Sequence, residues 1–473
     1  MFKLIVLAGI VFGALMPAEA LEDKELGEKL ALQGKGVQIT ACTICHGAKG
    51  EGQAAAGFPF LAGLGEDYLY NQLVAFKTLK RVNAVMQPIA TALSKKEMRA
   101  LARYYSSLDG PKLGVLKDTT NEVGQWLFER GKWSQSVPSC MSCHGKSGSG
   151  IGAAIPRITG QGLLYIKTQL QAFHGQQRQG EADGIMSHIA QKLTEEEIDA
   201  VAHYVAGVTL KTVRKEETPK IDSVYFQPQS ESNLKDDKFS QMVQKGIDIV
   251  MDTPKHAREF VKNDLTCANC HINRGRNPWA IPLWASFAMY PAYRDKNDMV
   301  NSMADRLQGC FVYSHNGSAP PADSEILKAL EAYQYWLGQG TIVGKDLEGR
   351  RVRELNPPKK TRSLARGKRI YLNRCAICHG KDGSGIKGES RDHFPALWGD
   401  NSFNWGAGMH RLNTSAGFIK ENMPLGKADL TEQEAWDVAL YVNSHQRPED
   451  PRFEVSKKAT AKKFHDHDCQ YNK

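Results

Sequence analysis

After its first twenty residues, the sequence has no apolar run that approaches the roughly 20 residues of a membrane-spanning helix. The first twenty, MFKLIVLAGIVFGALMPAEA, place one lysine before an apolar run and end in the small-x-small site Ala18-Glu19-Ala20. This pattern predicts a cleaved secretory signal peptide over residues 1–20 and not a membrane anchor. We therefore expect an exported, periplasmic protein with no membrane span.

Cysteine is scarce outside one short motif. Only Cys310 and Cys469, of ten cysteines, stand outside a Cys-x-x-Cys-His motif that occurs four times. The paired cysteines are Cys42 and Cys45, Cys140 and Cys143, Cys267 and Cys270, and Cys375 and Cys378. The histidines that follow them are His46, His144, His271 and His379.

This motif is typical of covalent haem attachment. Two thiols three residues apart can each bond to one vinyl group of a haem, and the next histidine can bind the iron. A lone Cys-x-x-Cys is also common in zinc sites and thioredoxin-like pairs. Four copies, each followed directly by histidine in an exported chain, favour four haem c groups. The formal net charge of +9 leaves out the haem propionates, which would offset it. We therefore expect no nucleic-acid partner.

Three of the motifs are followed by residues at one fixed spacing. A methionine, a leucine 7 residues later and a tyrosine 11 residues after that recur. These triplets are Met86, Leu93 and Tyr104, then Met186, Leu193 and Tyr204, then Met423, Leu430 and Tyr441. Each leucine precedes a capping box, which predicts an amphipathic helix at the end of each repeat. The capping pairs are Ser94 and Glu97, Thr194 and Glu197, and Thr431 and Glu434.

Glycine and proline positions predict how each repeat packs. Gly124 before the second motif and Gly367 before the fourth stand four residues ahead of an aromatic residue, which predicts close crossing of the first and last helices. A proline-fixed loop follows three of the motifs, at Pro59, Pro156 and Pro395. Its backbone carbonyl could accept a hydrogen bond from the motif histidine and so fix the ring.

These features together resemble class I cytochrome c domains, which are small helical folds. The resemblance implies that Met86, Met186 and Met423 are distal iron ligands, opposite the motif histidines. His/Met ligation tends to raise the reduction potential, which suits electron transfer. The predicted fold is all-α, with four class I cytochrome c-like haem domains in tandem.

The third unit lacks the methionine. Tyr333 closes the matching helix, Ala322 replaces the leucine, and the residue seven positions earlier is His315. Cys310 lies five residues before His315. Spacing alone leaves four readings open: a bis-His haem through His315, a Cys310 ligand, a disulfide between Cys310 and Cys469, or a free structural thiol.

Residues 239 to 452 resemble dihaem thiosulfate dehydrogenases, which are related to SoxA cytochromes. The matching strings are CANCH, YPAYRD, DRLQGCFVYSHNG, FPALWGDNSFNWGAGMHRLNTSAGFIKENMPLG and QEAWDVALYVNSHQRPEDPR. The resemblance implies that Cys310 is the distal ligand of the active-site haem, where thiosulfate is oxidised to tetrathionate. It also implies substrate-pocket roles for Arg306, Arg294 and Ser314. Further candidates for binding the substrate dianion are Lys296, Arg274 and Arg276.

The methionine of the fourth unit has one informative neighbour. Some members of that family have a lysine directly before the methionine that matches Met423, and their haem can exchange Lys for Met. This chain has Asn422 there, so we expect plain His379/Met423 ligation. Met409, in GAGMHR, is a rival ligand that lacks the seven-residue step to Leu430.

The first half resembles dihaem cytochromes of two tandem domains with pseudo-twofold symmetry, a known type of electron acceptor for thiosulfate dehydrogenase. The chain therefore looks like a natural fusion of acceptor and enzyme, in which three His/Met haems pass electrons to a soluble redox protein. The predicted boundaries are a signal peptide at 1–20, cytochrome c domains at 21–115 and 116–212, a linker at 213–238, a catalytic cytochrome c domain with a Cys-ligated haem at 239–350, a fourth cytochrome c domain at 351–452 and a C-terminal tail at 453–473.

Two other readings remain for the whole chain. The first is a non-enzymatic tetrahaem conduit with a bis-His third haem through His315. The second is a tetrathionate reductase that runs the same site in reverse. The tail contains His465, His467 and Cys469, which could bind a stray metal, but we expect a disordered end.

Overall fold

The computed structural model describes residues 18–111, 121–132, 135–145, 147–179, 184–207, 225–294, 297–387 and 393–465. The chain forms two compact units, Met1–Lys112 and Leu113–Lys473. No helix in the described ranges is long and apolar enough to cross a membrane. Most of the predicted signal peptide lies outside these ranges.

The first unit is one helical domain around a motif. Its helices are α1 (Ala18–Gln33), α2 (Thr43–His46), α3 (Glu66–Lys77), α4 (Met86–Ala92) and α5 (Lys95–Ser106). Helices α1 and α5 pack closely, because Gly27 lies against the backbone carbonyl of Ala100. Leu30, Leu93 and Tyr104 are buried in its core.

The second unit begins with a domain of the same design. Its helices are α6 (Glu122–Glu129), α7 (Met141–His144), α8 (Leu163–His174), α9 (Ile185–Ala190) and α10 (Glu195–Ala206). Helix α6 packs on α10, and a methyl group on Gly124 would lie 2.5 Å from the Ala200 carbonyl oxygen. The close crossing predicted from this glycine is confirmed.

The third domain contains the largest core of the second unit. Its elements are α11 (Lys238–Met251), α12 (Thr253–His256), α13 (Ile272–Gly275), β1 (Ala292–Arg294), β2 (Met299–Asn301), α14 (Met303–Tyr313) and α15 (Glu325–Leu337). Trp284, Phe311 and Tyr333 are buried in the core. Phe226 and Leu234, from the stretch predicted as a linker, also pack against it.

The fourth domain repeats the helical design and adds a C-terminal helix. Its elements are α16 (Leu364–Arg374), α17 (Ala376–His379), β3 (Ile386–Lys387), β4 (His393–Phe394), α18 (Leu412–Asn422), α19 (Glu432–Asn443) and α20 (Lys457–Phe464). Gly367 lies against the Asp437 carbonyl, which brings α16 and α19 together as predicted. The antiparallel pairs β1–β2 and β3–β4 are the only named strands in the described residues, so the predicted helical fold class is confirmed.

The three predicted capping boxes all form. Ser94, Thr194 and Thr431 each accept a hydrogen bond from the backbone of the glutamate three residues later, and that glutamate bonds back to the cap. These caps stabilise the first turns of α5, α10 and α19.

The prediction of a disordered end is wrong for residues 453–465. Helix α20 lies there, and His465 is 3% exposed. The His465 Nε2 lies 3.0 Å from the carboxylate of Asp450, and Arg452 bonds to the same carboxylate. A buried ion pair therefore fixes the start of the tail, while His467 and Cys469 lie outside the described residues.

Candidate functional site

All four motif histidines are held in one orientation. His46, His144 and His379 each donate Nδ1–H to the carbonyl of the loop proline, at 2.9, 2.8 and 2.9 Å. These hydrogen bonds confirm the role predicted for the three proline loops. In the third domain, His271 bonds to the Ile281 carbonyl at 2.5 Å.

This arrangement fits a haem at each motif. With Nδ1 as the donor, Nε2 keeps a lone pair for a metal, and the carbonyl fixes the ring plane. Burial lowers the pKa of the motif histidines, that of His271 to about 4, so the rings are neutral donors at pH 7. The described cysteines are all free thiols, which leaves both thiols of every motif available for thioether bonds.

Helix α14 places Arg306 and Cys310 one turn apart on the same face. Arg306 Nη1 donates a hydrogen bond to Cys310 Sγ at 2.9 Å. The charge of Cys310 is the main cause that raises the pKa of Arg306. Burial first, and then Cys310, raises the pKa of Cys270 to about 11. Cys310 therefore lies between a partly buried cation and the third motif.

A tyrosine joins this pair to a second arginine. Arg294, at the end of β1, donates to Tyr290 Oη at 2.6 Å. Arg306 also lies beside Tyr290, which contributes to the raised pKa of Arg306. The structure thus brings Arg294, Tyr290, Arg306 and Cys310 into one cluster. Tyr290 was missed as a functional residue, although it begins the YPAYRD string.

Ser314 and His315 follow Cys310 at the end of α14. The Ser314 N–H donates to the Cys310 carbonyl at 2.8 Å, and its own carbonyl accepts from Asn263. His315 is 2% exposed, and its Nε2 lies 3.8 Å from Cys267 Sγ. His315 therefore faces a cysteine of the third motif.

Two of the further candidate cations are engaged elsewhere. Arg274 forms an ion pair with Glu231 at 2.5 Å, and Arg276 donates to the Gln229 carbonyl at 2.8 Å. Their side chains hold the 229–231 stretch, and the suggestion that these arginines bind substrate stays a prediction. Lys296 lies outside the described residues.

The predicted distal methionines of the first two domains lie at the start of a helix, whereas that of the fourth domain lies at the end of one. Met86 is the first residue of α4, Met186 is the second of α9, and Met423 caps the end of α18. Met423 and Met409 pack against the same apolar cluster, which includes Ile272 and Phe418. The predicted ligand and its rival are therefore neighbours.

Asn422, the residue before Met423, is fixed by the third domain. Its Oδ1 accepts from Asn277 at 2.9 Å, and its Nδ2 donates to the Trp279 carbonyl at 3.2 Å. Asn422 is 4% exposed. Its amide therefore bridges the third and fourth domains.

Comparisons with known proteins match both halves. A family model described as "Cytochrome c" matches residues 31–109 and 124–209, and one described as "Cytochrome C oxidase, cbb3-type, subunit III" matches residues 362–442. A thiosulfate dehydrogenase of Stutzerimonas stutzeri is 51% identical over 246 residues, which are 52% of this chain and 80% of that protein. A thiosulfate dehydrogenase electron acceptor of the same organism is 39% identical over 209 residues, which are 43% of this chain and 95% of that protein.

One solved structure matches almost the entire chain. It is described as "Thiosulfate dehydrogenase (TsdBA) from Marichromatium purpuratum", in its as-isolated form. The sequences are 38% identical, and the match has a TM-score of 0.85. It covers 94% of this chain and 96% of that one, so the two halves occur together in both proteins.

Proposed function

Because the chain belongs to the thiosulfate dehydrogenase family, as a fusion of the enzyme with its electron-acceptor cytochrome, we propose that it joins two thiosulfate ions into one tetrathionate at Cys310. The observation that carries this proposal is the 2.9 Å hydrogen bond from Arg306 to the Cys310 sulfur beside the third haem motif. The bond directs a partly buried cation at the proposed nucleophile.

The four motifs would hold four haem c groups through their cysteine pairs and histidines. Met86, Met186 and Met423 would be the distal ligands in the first, second and fourth domains, and Cys310 in the third. Bound haem iron accepts single electrons and keeps a coordinating thiol as the thiolate. The neutral, carbonyl-bonded histidines support this assignment, since such rings have Nε2 free to bind iron.

The chemistry of Cys310 follows from its thiolate. The thiolate and the outer sulfur of one thiosulfate form an S–S bond, and two electrons leave this sulfur pair. A second thiosulfate then attacks the outer sulfur of the adduct. The bond to Cys310 breaks, tetrathionate departs, and the thiolate is restored with no net change in the protein.

The neighbouring side chains offset the charge of the substrates. Each thiosulfate is a dianion, so two of them approach each other and the thiolate only where positive charge is close. Arg306 already faces the sulfur, and Tyr290 couples Arg294 to the same cluster. Ser314, one turn after Cys310, would offer a hydroxyl to a sulfonate oxygen.

The remaining domains conduct the electrons away. Asn422, held by Asn277 and Trp279, occupies the position where some members of the family have the competing lysine, and this supports plain His379/Met423 ligation in the fourth domain. The acceptor half would then pass electrons to an external redox protein in the periplasm.

Substitution of Cys310 tests this function. We expect Cys310→Ala to abolish thiosulfate-dependent ferricyanide reduction, with the same haem content. Cys469→Ala is the matched control, since it removes the other cysteine outside the motifs, and it should keep full turnover. Turnover that survives in Cys310→Ala would overturn the proposal.

The rival readings predict other results. A bis-His conduit would show no turnover in the wild type and would lose its bis-His EPR signal in His315→Ala. A tetrathionate reductase would oxidise a reduced viologen with tetrathionate faster than it oxidises thiosulfate. The observation that favours testing the bis-His conduit is the position of His315, whose buried Nε2 lies 3.8 Å from Cys267 Sγ.

A further inference from the structure

The second and fourth domains meet along a seam. We define the seam by Pro138, Gly152 and Ile189 on the second domain and by Ile386 and Gly426 on the fourth. A methyl group on Gly426 would lie 3.0 Å from Pro138 and 3.2 Å from Ile189, and one on Gly152 would collide with Ile386. Backbone and side chains are therefore in contact across the seam.

The seam joins the segments that surround the two haem sites. Pro138 stands two residues before the second motif, and Ile189 is on α9, the helix of Met186. Gly426 follows Met423 by three residues. The motif segments and the predicted methionine ligands of both domains thus border the same contact.

The segments that follow the two motif histidines come close, because a methyl group on Gly152 would collide with Ile386. Ile386 and Gly152 hold nearly the same place in their domains, seven residues after His379 and eight after His144. Equivalent positions that face each other are the sign of an approximate twofold relation between two homologous domains.

A partly buried ion cluster also fastens the second domain to the third. Glu231 pairs with Arg274 at 2.5 Å and with Arg276 at 3.5 Å, and Arg130 of the second domain lies 3.9 Å from it. Arg130 also donates to Ser230 Oγ at 3.2 Å. Burial alone would raise the pKa of Glu231, but Arg274 and Arg276 outweigh it and hold the pKa below its usual value. The Glu231 cluster therefore stays charged at neutral pH.

We propose that the second domain is the electron entry point of the acceptor half, so that electrons pass from the fourth domain to the second and only then to the first. The inference rests on the proposed function and adds the order of transfer. The seam brings the two attachment sites together, and Glu231 is a positioning residue that holds the second domain in place.

Two ligand substitutions test the order. Replacement of a methionine ligand by histidine lowers the potential of that haem, because Met/His ligation raises it. In Met186→His, transfer should then stop at the fourth domain. Of the haems in the first, second and fourth domains, thiosulfate should therefore rapidly reduce one. Met86→His is the matched variant. In it, the haems of the fourth and second domains should still be reduced at the wild-type rate. Absorbance during rapid mixing gives the number of haems reduced. Two rapidly reduced haems in Met186→His and one in Met86→His would overturn the proposed order.

A second experiment is independent of thiosulfate. Ile386→Glu puts a charge into the seam, and Ile342→Glu is the control because Ile342 is 60% exposed in the same unit. We expect Ile386→Glu, and Glu231→Gln more weakly, to raise hydrogen exchange at least tenfold in α9 and at residues 137–145. Unchanged hydrogen exchange in both variants would refute the contact between the second and fourth domains. If thiosulfate reduces no haem in the wild type, the proposed function fails, whereas this result still stands on its own.

Discussion

Arg306 and Cys310 are paired through a 2.9 Å hydrogen bond from guanidinium to sulfur, within a single turn of helix. The pair is partly buried, and the arginine has a second neighbour in Tyr290. A cation fixed beside a thiolate can compensate incoming anions without reorganising, which is how electrostatic preorganisation accelerates a reaction.

Substitution of Arg306 should therefore lower kcat/KM for thiosulfate. We expect Arg306→Lys to lower kcat/KM about tenfold and Arg306→Gln about a hundredfold, since lysine keeps the charge without the planar donor set. Steady-state oxidation of thiosulfate measures both. Arg258→Gln is the control, because Arg258 is 65% exposed and pairs only loosely with Asp264. An Arg306→Gln enzyme with wild-type kcat/KM would contradict this prediction.

Tyr290 should contribute through its hydroxyl. Tyr290→Phe removes the acceptor that holds Arg294 at 2.6 Å, and a lost hydrogen bond to a charged group costs about 1.5–3 kcal/mol. We expect kcat/KM to fall about tenfold, with the haem spectrum unchanged. Tyr335→Phe, in the same domain, changes a residue that is 43% exposed and should have no effect. Equal activity of the two variants would exclude Tyr290 from the site.

Local patterns predicted much of this structure. The capping pairs, such as Ser94 with Glu97, depend on residues three apart, and the histidine–proline bonds depend on a loop of 12 to 16 residues. Repetition made each pattern visible, because an accidental spacing does not recur in three domains. The motif cysteines and histidines were therefore identifiable before any coordinates.

Contacts between distant segments could not be predicted in this way. Asn422 bonds to Asn277 across 145 residues, and Glu231 meets Arg274 across 43. Neither contact repeats in another domain within the described ranges, so no internal comparison pointed to it. The folded tail was missed for the same reason, since α20 depends on the pairing of His465 with Asp450.

The choice between two neighbouring methionines is directly testable. We expect Met423→Ala to remove one of three methionine-to-iron charge-transfer bands and to lower the potential of the fourth haem. Met409→Ala should keep all three bands, because Met409 lacks the register of the other repeats. Far-red absorbance of the oxidised protein measures this. Loss of a band in the Met409 variant would transfer the ligand role to that residue.

The C-terminal helix should depend on one carboxylate. Asp450→Asn removes the negative charge that His465 and Arg452 contact, and breaking a buried ion pair costs about 3 kcal/mol. We expect hydrogen exchange in α20 to rise sharply. Glu454→Gln is the control, because Glu454 and Lys463 form an exposed pair, which contributes about 0–1 kcal/mol.

The same carboxylate predicts a dependence on pH. Burial would raise the pKa of Asp450, but hydrogen bonds from His465 and Arg452 outweigh burial and hold it well below its usual value of 3.8. A depressed pKa in the folded state contributes stability above pH 3.8, and this contribution is lost as the pH falls below that value. Protection of α20 in the wild type should therefore decrease below pH 3.8, whereas Asp450→Asn should show no such decrease.

Helix crossing in the third domain offers a test of packing. Gly246 on α11 lies against the Ala329 carbonyl and the Tyr333 side chain of α15, so Gly246→Ala must push the helices apart. Overpacking of this kind costs about 1–3 kcal/mol, which should appear as a lower opening free energy for α15 amides in hydrogen exchange. Gly309→Ala is the matched variant, because the nearest atom to its new methyl group is 3.9 Å away. That helical glycine should gain about 0.5–1 kcal/mol from the substitution. If Gly246→Ala were as stable as Gly309→Ala, the α11–α15 crossing would have to be looser than the structure indicates.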